Sequence, residues 1–534
     1  MDVVSADQAK PPTSFATFPP DLLPEIWLFA IGRRQRELAN PGPAPRAYYT
    51  HWHELRKFMS VCKHWREVVF ATPALWREVM FGGGVARSVT EKMLRRSGQM
   101  SFNLVLCYRA QAGFDASLLE PQVYRVRSLE IEVQDGYLPF NKVREGTYDA
   151  PLLEELKVVN MTFLFPVDHP IPLVGPAFQL PRLRTLDFTG MAFDTLSSYF
   201  RPTITSLDIK VPPTTLGPSI PAFLRALSEM PLLECLGTNR VFSDHINSDS
   251  QCVEAKLPNL WQMIMFEDEV TSAELLEHMT IPASLFLSPG NFYRVANTSR
   301  GLDGAELEDS HSRLLLVILA KLNGQGIIGT VPTPTSLGIR LQSWSFTLEV
   351  GDDASAPEPF FSHSIGLSQT SGLRVGMNDL LDLICTSGPQ SLISGIHTLR
   401  LHWGDREDSR TSYPYTFIAD MQALFSNLET LQLDGGDAMF RNVTTAHAAC
   451  STDPALQKPF PKLQNFILKN IDLSTGMDSL YVMAYDRAKT GTPLSRLELS
   501  YDPETKVNRV QESDYHLDLL RCVVGVLETS DLEP

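Results

Sequence analysis

The sequence predicts an α/β protein in two parts. A small all-α helical unit comes first, followed by an irregular repeat solenoid in which a curved parallel sheet carries helices on its outside. Three observations predict it. Two stretches near the N-terminus space their apolar residues as helices do. A six-residue apolar motif recurs nine times between residues 126 and 499. The 534 residues are 43% hydrophobic and 20% charged, an ordinary globular balance that can bury a core.

Within the helical unit, a polar leader (1–14) precedes FPPDLLPEIWLFAI (18–31), where Leu22, Leu23, Ile26, Trp27 and Phe29 or Ala30 recur at helical spacing. Residues 32–52, GRRQRELANPGPAPRAYYTHW, are rich in proline, glycine and arginine and read as a loop. The helical period resumes with Leu55, Phe58 or Met59, Cys62 and Trp65. At about 100° per residue, Val61, Cys62, Trp65, Val68 and Val69 share one apolar face, and Lys63, His64, Arg66 and Glu67 lie opposite. Cys62 and His64 therefore point about 160° apart and cannot form a nucleophile–base dyad. Cys62 reads as a small core hydrophobe. Thr72 and Pro73 read as the cap and first residue of a further short helix that carries Leu75 and Trp76. The glycine run 82–84 marks the exit; lacking a following lysine and serine or threonine, it is no phosphate loop.

Beyond residue 120 one motif returns: apolar, two variable positions, apolar, one variable position, apolar. It stands as VRSLEI (126–131), LEELKV (153–158), LRTLDF (183–188), ITSLDI (204–209), LWQMIM (260–265), IHTLRL (396–401), LETLQL (428–433), LQNFIL (463–468) and LSRLEL (494–499), with LLECLG (233–238) a partial copy. Successive starts fall 21 to 35 residues apart outside the gap between 260 and 396, the spacing and core of leucine-rich repeats. Each short strand would bury its LxL residues inward, so neighbours must stack to cover one another. PAFLRALSEM (221–230), TFIADMQALF (416–425) and DSLYVMAYDRA (478–488) read as helices closing their units. From about 280 to 395 the pattern fades. SLFL (284–287) and GIRLQSWSFTLEV (338–350) read as strands there, and GDDASAPEPFFSHSIGLSQTSG (351–372) as a long loop.

Strand parity selects the exposed face. Residues alternating with the buried LxL pair are Glu130, Lys157, Asp187, Asp208, Arg400, His402, Gln432, Asp434, Lys469 and Glu498, and these are the candidate contacts for a bound target. Their mixed charges define no target.

A net charge of −16 argues against a nucleic-acid partner, which would require clustered lysine and arginine. Seven scattered cysteines without a CxxC form neither a disulfide framework nor a zinc site, and suggest a reducing compartment. LLLVILA (314–320) is too short to span a bilayer, and MDVVSADQAKPPTS lacks the segments of a secretory signal. A soluble protein of the cytoplasm or nucleus is expected, with no membrane partner.

The N-terminal residues resemble an F-box, in particular the F-box proteins abundant in mushroom-forming fungi. PPDLLPEIW is similar to the family's opening PxELLxxIF, and VCKHW to its VCxxW landmark; TPALW (72–76) looks like the usual downstream element. Phe18 stands for the family's leading leucine, Asp21 for its glutamate, and the long loop for its short central connection. The resemblance covers about an eighth of the chain. It implies an F-box at 15–81 with an inserted loop at 32–52, a connecting segment at 82–119, a repeat domain at 120–505 that is irregular over 280–395, and a cap and tail at 506–534. It further implies docking on a Skp-type adaptor, and through it a cullin-RING ubiquitin ligase, while the repeats hold an unknown protein target. Carried over by position, the adaptor contacts are Pro19, Leu22, Leu23, Ile26, Trp27, Leu55, Phe58, Val61 and Cys62. Trp65 and Val69 read as the unit's own core.

No HExxH, GxSxG, Walker loop or GxGxxG is present, so no catalytic activity, cofactor or metal is expected. His51 and His53 flank Trp52 but would need metal ligands from elsewhere. The alternative to a ligase receptor is an interaction scaffold that uses the same repeats outside any ligase.

Overall fold

The computed structural model describes residues 22–29, 48–82, 85–108, 118–133, 148–160, 178–191, 193–211, 217–242, 253–283, 285–289, 313–314, 316–318, 320–321, 324–328, 336–342, 345–351, 361–366, 393–403, 421, 425–435, 440–441, 443–447, 460–471, 477–500 and 513–530. The fold is mixed α/β with parallel sheets, and among the described residues no sheet closes into a barrel. The chain divides into two compact units, Met1–Gly217 and Pro218–Pro534.

The first unit opens with helices α1 (22–29), α2 (Tyr48–Val61) and α3 (Lys63–Ala71), and a 3-10 turn at Pro73–Trp76. Their core is aromatic. Trp27 stacks on Phe58 at 5.1 Å between centroids and tilts against Trp65 at the same distance, while Leu55, Val69, Leu75 and Trp76 are fully buried. The Trp76 indole N–H donates to the Val69 carbonyl at 2.8 Å, and His51 Nε2 bonds the Leu75 carbonyl at 2.9 Å. Burial holds the His51 imidazole below its ordinary pKa, which favours the neutral ring.

Three sequence expectations change here. Tyr48 already starts α2, so residues 48–52 of the expected loop are helical and the HWH triplet lies on a helix. The VCKHW helix is not continuous: Cys62 is extended (φ −158°, ψ 172°), and its Sγ accepts the Trp65 backbone N–H at 3.4 Å. The cysteine serves as a cap instead of a core hydrophobe, because the first N–H groups of α3 have no carbonyl behind them. Pro73 does begin the next turn, but the Thr72 hydroxyl donates back to the Val68 carbonyl instead of capping forward.

No separate connecting segment follows. Strand β1 (Glu78–Gly82) leads through α4 (Arg87–Arg96) into β2 (Phe102–Tyr108), paired parallel to β1, so the sheet begins at residue 78 and not near 120. Gly82 is required where it stands: its φ is +83°, and an added Cβ would lie 2.1 Å from the Cys107 carbonyl oxygen. The Arg96 guanidinium lies over the rings of Phe70 (3.8 Å) and Trp76 (4.5 Å), tying α4 to the helices. Parallel strands β3 (Val126–Val133), β4 (Glu155–Asn160), β5 (Thr185–Thr189) and β6 (Ser206–Lys210) extend this sheet in order.

In the second unit, β7 (Cys235–Asn239), β8 (Gln262–Phe266) and β9 (Phe286–Pro289) pair in parallel; a helix at Ile220–Ser228 precedes β7 and another at Glu269–Glu277 lies between β8 and β9. Strands β10 (Ser336–Gln342), β11 (Ser345–Gly351) and β12 (Phe361–Gly366) form an antiparallel meander. The loop expected at 351–372 thus contains a strand. Strand β10 also pairs in parallel with β13 (Thr398–Trp403), which continues through β14 (Thr430–Asp434), β15 (Asn465–Lys469), β16 (Arg496–Ser500) and β17 (Val526–Ser530). The expected C-terminal cap and tail therefore supply a helix, Ser513–Val523, and one more in-register parallel strand. The helix expected at 416–425 lies mostly outside the described residues; that at 478–488 is found as Met477–Lys489.

All nine motif copies and the partial one fall on parallel strands, and repeat the same local geometry. Motif positions 4 and 6 alternate inward, as Leu186 and Phe188 do, and position 1, such as Leu183, is buried two residues before the strand. That first residue closes a tight turn, commonly with proline second. Leu183 donates its N–H to Leu180, Leu233 to Met230, Leu260 to Leu257 and Leu463 to Phe460, across Pro181, Pro231, Pro258 and Pro461. The carbonyl at position 2 then receives two N–H groups from the next repeat: Glu154 from Arg184 and Thr185, Glu429 from Gln464 and Asn465. Four strands end on a left-handed residue, Gly190, Arg240, Gly435 and Asn470, whose N–H bonds the carbonyl that ends the next repeat's strand. Glycine and asparagine suit that conformation; arginine accepts it at some strain.

Arg487 on the Met477–Lys489 helix is 1% exposed and donates to the carbonyls of Phe460 (3.1 Å), Pro461 (3.5 Å) and Leu463 (2.6 Å). Phe460 itself holds a left-handed φ of 49°. Desolvation pushes the guanidinium pKa down to about 10. Replacing Arg487 by methionine is expected to cost about 2–3 kcal/mol, since the orphaned carbonyls outweigh the relief of removing a buried charge; urea melts measure it.

Candidate functional site

The helical unit separates its candidate adaptor contacts into two sets. Leu23, Trp27 and Leu55 are at most 2% exposed and form the unit's own core, which corrects their reading as docking residues. Leu22, Ile26 and Val61 are about half exposed or more, at 50%, 47% and 58%, while Phe58 and Cys62 are half-buried. Pro19 lies outside the described residues. The reason is angular: on α1, Leu23 and Trp27 face Phe58 and Trp65, and Leu22, Ile26 and Phe29 fall on an adjacent stripe within about 60° of arc. Phe29, at 66% exposure the most open large apolar residue on α1, extends that stripe; it was read as part of the helical spacing but was not among the adaptor contacts. Phe70 on α3 is also 41% exposed, under the Arg96 guanidinium. Helical spacing carried a signal for Phe29; nothing in the local sequence signalled the Arg96 stack.

The strand-face candidates fall into cross-strand rows. In the first unit Glu130, Lys157, Asp187 and Asp208 stand opposite one another on β3 to β6. Lys157 Nζ reaches Glu130 at 2.9 Å and Asp187 at 3.9 Å, and Lys210 reaches Asp208 at 2.6 Å. Burial works against the Lys157 charge, but Glu130 and Asp187 outweigh it and raise its pKa. Asp187 is pushed upward, by burial first and then by the charge of Asp208 directly opposite. Ionising Asp187 therefore costs folding stability as pH rises through that window. Asp208→Asn is expected to lower the Asp187 midpoint in a carboxyl NMR titration and to add about 0.5–1 kcal/mol at neutral pH by removing a like-charge pair.

In the second unit there are two rows. Arg400, Gln432, Ile467, Glu498 and Glu528 occupy one; His402, Asp434, Lys469, Ser500 and Ser530 occupy the next. His402 Nδ1 meets Asp434 at 2.7 Å, and the Asn470 amide donates to the other Asp434 oxygen at 2.7 Å. Burial would raise the Asp434 pKa, yet these two hydrogen bonds prevail and hold it low. Glu498 sits between Arg496 (2.9 Å) and Lys469 (3.9 Å), and Arg496 also reaches Glu528 at 2.6 Å. Glu528 and the pair His397–Glu429 (3.2 Å) escaped the sequence reading, the former because its strand carries no motif copy.

All ten candidates are half-buried, as a solvated sheet face requires. Among the described residues no three His, Cys, Asp or Glu side chains are grouped to hold a metal ion, and no helix is long and apolar enough to cross a membrane. No protein-family model matches the chain, and no curated protein sequence matches it.

Proposed function

We propose that the chain is the substrate-recognition subunit of an SCF-type ubiquitin ligase, an F-box at the N-terminus docking on a Skp-type adaptor and a leucine-rich-repeat solenoid holding the target protein. The observation that carries this reading is the stripe of Leu22, Ile26 and Phe29, exposed on a helix whose other face is already packed on Phe58 and Trp65. A monomer leaves such a row in water only at a cost, which burial in a partner's groove reverses at about 25 cal/mol per Å². The repeated turns, strands and shared carbonyl acceptors support a solenoid, and the charged rows give it a polar face for a protein target.

In this reading the chain is a receptor and the chemistry belongs to partner enzymes. Co-precipitation of a Skp-type adaptor with the full chain tests it. Wild type is expected to capture the adaptor. The Leu22→Asp, Ile26→Asp variant is expected to lose at least about 100-fold in affinity with unchanged melting, because both side chains already face water. Failure of wild type to capture the adaptor sinks the proposal. If the adaptor is captured but blocking the proteasome leaves bound targets at constant level, the scaffold reading replaces the ligase reading.

A further inference from the structure

The last strand of the second unit's parallel run, β17 (Val526–Ser530), pairs with β16 on one side, and among the described residues nothing pairs its other edge. The Val526 N–H bonds the Ser495 carbonyl at 2.9 Å, so the alternation of a parallel ladder turns the N–H and C=O of Leu527 and Thr529 away from β16. No proline, lysine or bulge blunts this edge: the strand reads VLETS, and its register with β16 is unbroken. Such an edge is a template for a further strand. The strand that begins the first unit's sheet is covered instead. Val79, Met80 and Phe81 of β1 are buried, and the Thr90 hydroxyl donates to the Met80 carbonyl at 2.6 Å.

The hydrogen-bond pattern of the repeats defines the strand that fits. In this unit the carbonyls of Glu234, His397, Glu429 and Gln464 each receive two N–H groups from the strand that follows. Register puts Gly525 in the same place ahead of β17, and no backbone N–H of a described residue bonds its carbonyl. The inward side chains agree. Leu497 and Leu499 on β16, flanked by β17, are at most 1% exposed, whereas Leu527 and Thr529 opposite them are half-buried. A next strand in register with apolar residues at these two positions would cover Leu527 and Thr529 as β17 covers Leu497 and Leu499. Between them it would face Glu528, which is exposed and shares the Arg496 guanidinium with Glu498. A lysine or arginine is favoured there, and an acid is repelled.

We propose that the edge of β17 binds an extended segment of a partner protein, added in parallel as one more strand, with apolar side chains meeting Leu527 and Thr529 and a basic one opposite Glu528. A second copy of the chain does not match this pattern. Two β17 edges related by a two-fold axis normal to the sheet run antiparallel, and full overlap sets Glu528 against its own copy. The inference goes beyond the docking of α1 and does not depend on it, since a ligase receptor and a scaffold would hold a target by strand addition in the same way.

The probe is a labelled synthetic peptide with the sequence of residues 152–160, LLEELKVVN, read by fluorescence anisotropy against the full-length chain. In repeat register its Leu156 and Val158 meet Leu527 and Thr529, and its Lys157 meets Glu528. Binding is expected at a Kd below about 1 mM. N-methylation of the peptide at Glu154 and Glu155 keeps every side chain but removes the two N–H groups aimed at Gly525, and is expected to weaken binding at least about 10-fold. Thr529→Pro in the protein, whose lost N–H faces away from β16, is expected to do the same. Lys157→Glu in the peptide is expected to weaken binding, and Glu528→Lys in the protein to reverse that preference. The N-methylated peptide needs no protein variant, so a misfolded variant does not blunt the test. No binding, or binding indifferent to N-methylation, overturns the inference and leaves adaptor capture by α1 untouched. Binding that emerges only once residues 531–534 are removed assigns the edge to the chain's own segment, and self-association abolished by Thr529→Pro assigns it to a second copy; either result overturns the inference.

Discussion

Trp27→Ala is expected to destabilise the first unit by about 3–5 kcal/mol, the cost of deleting a large buried aromatic and leaving a cavity. The tryptophan is 2% exposed and lies 5.1 Å from the rings of both Phe58 and Trp65. Its loss removes the contact that holds α1 on α2 and α3. Ile26→Asp, one residue earlier, is expected to change the melting transition by less than about 0.5 kcal/mol, since Ile26 already faces water. Urea denaturation followed by tryptophan fluorescence, alongside adaptor binding, separates the two. Trp27→Ala should lose stability and binding together, and Ile26→Asp binding alone. Equal stability losses for both would place the α1 stripe in the core and remove the docking surface.

Raising the pH from 5 to 8 is expected to weaken the second unit through Glu267. This residue follows β8 directly and is half-buried, its carboxylate accepting the Val241 N–H at 3.0 Å; desolvation of the carboxyl pushes its pKa up to about 8. The unfolded carboxyl titrates near its ordinary value of about 4.3. Below that value both states are protonated and nothing is lost. Between it and about 8 the unfolded chain ionises while the folded one keeps its proton, so stability falls by up to about 1.4 kcal/mol per pH unit. Above the folded pKa the loss levels off. Glu267→Gln keeps an acceptor for Val241 without a titrating proton. The difference in unfolding free energy between variant and wild type should therefore grow from pH 5 to pH 8, to about 4 kcal/mol; a constant difference would mean that Glu267 is ionised in the folded protein.

Much of the strand architecture was legible in the residues themselves. The motif alternates apolar and polar positions with period 2, so ten segments declare which side chains turn inward, and the structure places all ten on parallel strands. Proline before the motif and glycine or asparagine after it mark turns for reasons carried by single residues: a pre-set φ and tolerance of a left-handed one. Where such local signals fail, the reading failed. Strand β12 hides in a polar stretch because its pairing partner, β11, supplies the order, and β1 and β2 lack the motif.

The candidate site divides along the same line. Sequence alone determined the parity of the charged rows and the helical spacing of Leu22, Ile26 and Phe29, since both follow from the local period of the backbone. Only the tertiary structure decided that Leu23, Trp27 and Leu55 are core while their neighbours face water, that Cys62 caps a helix, that Arg487 is buried and that the Glu267 carboxyl is desolvated. Those outcomes depend on which distant segment covers a side chain, and a repeat period or a helical wheel carries no information about what lies across the fold.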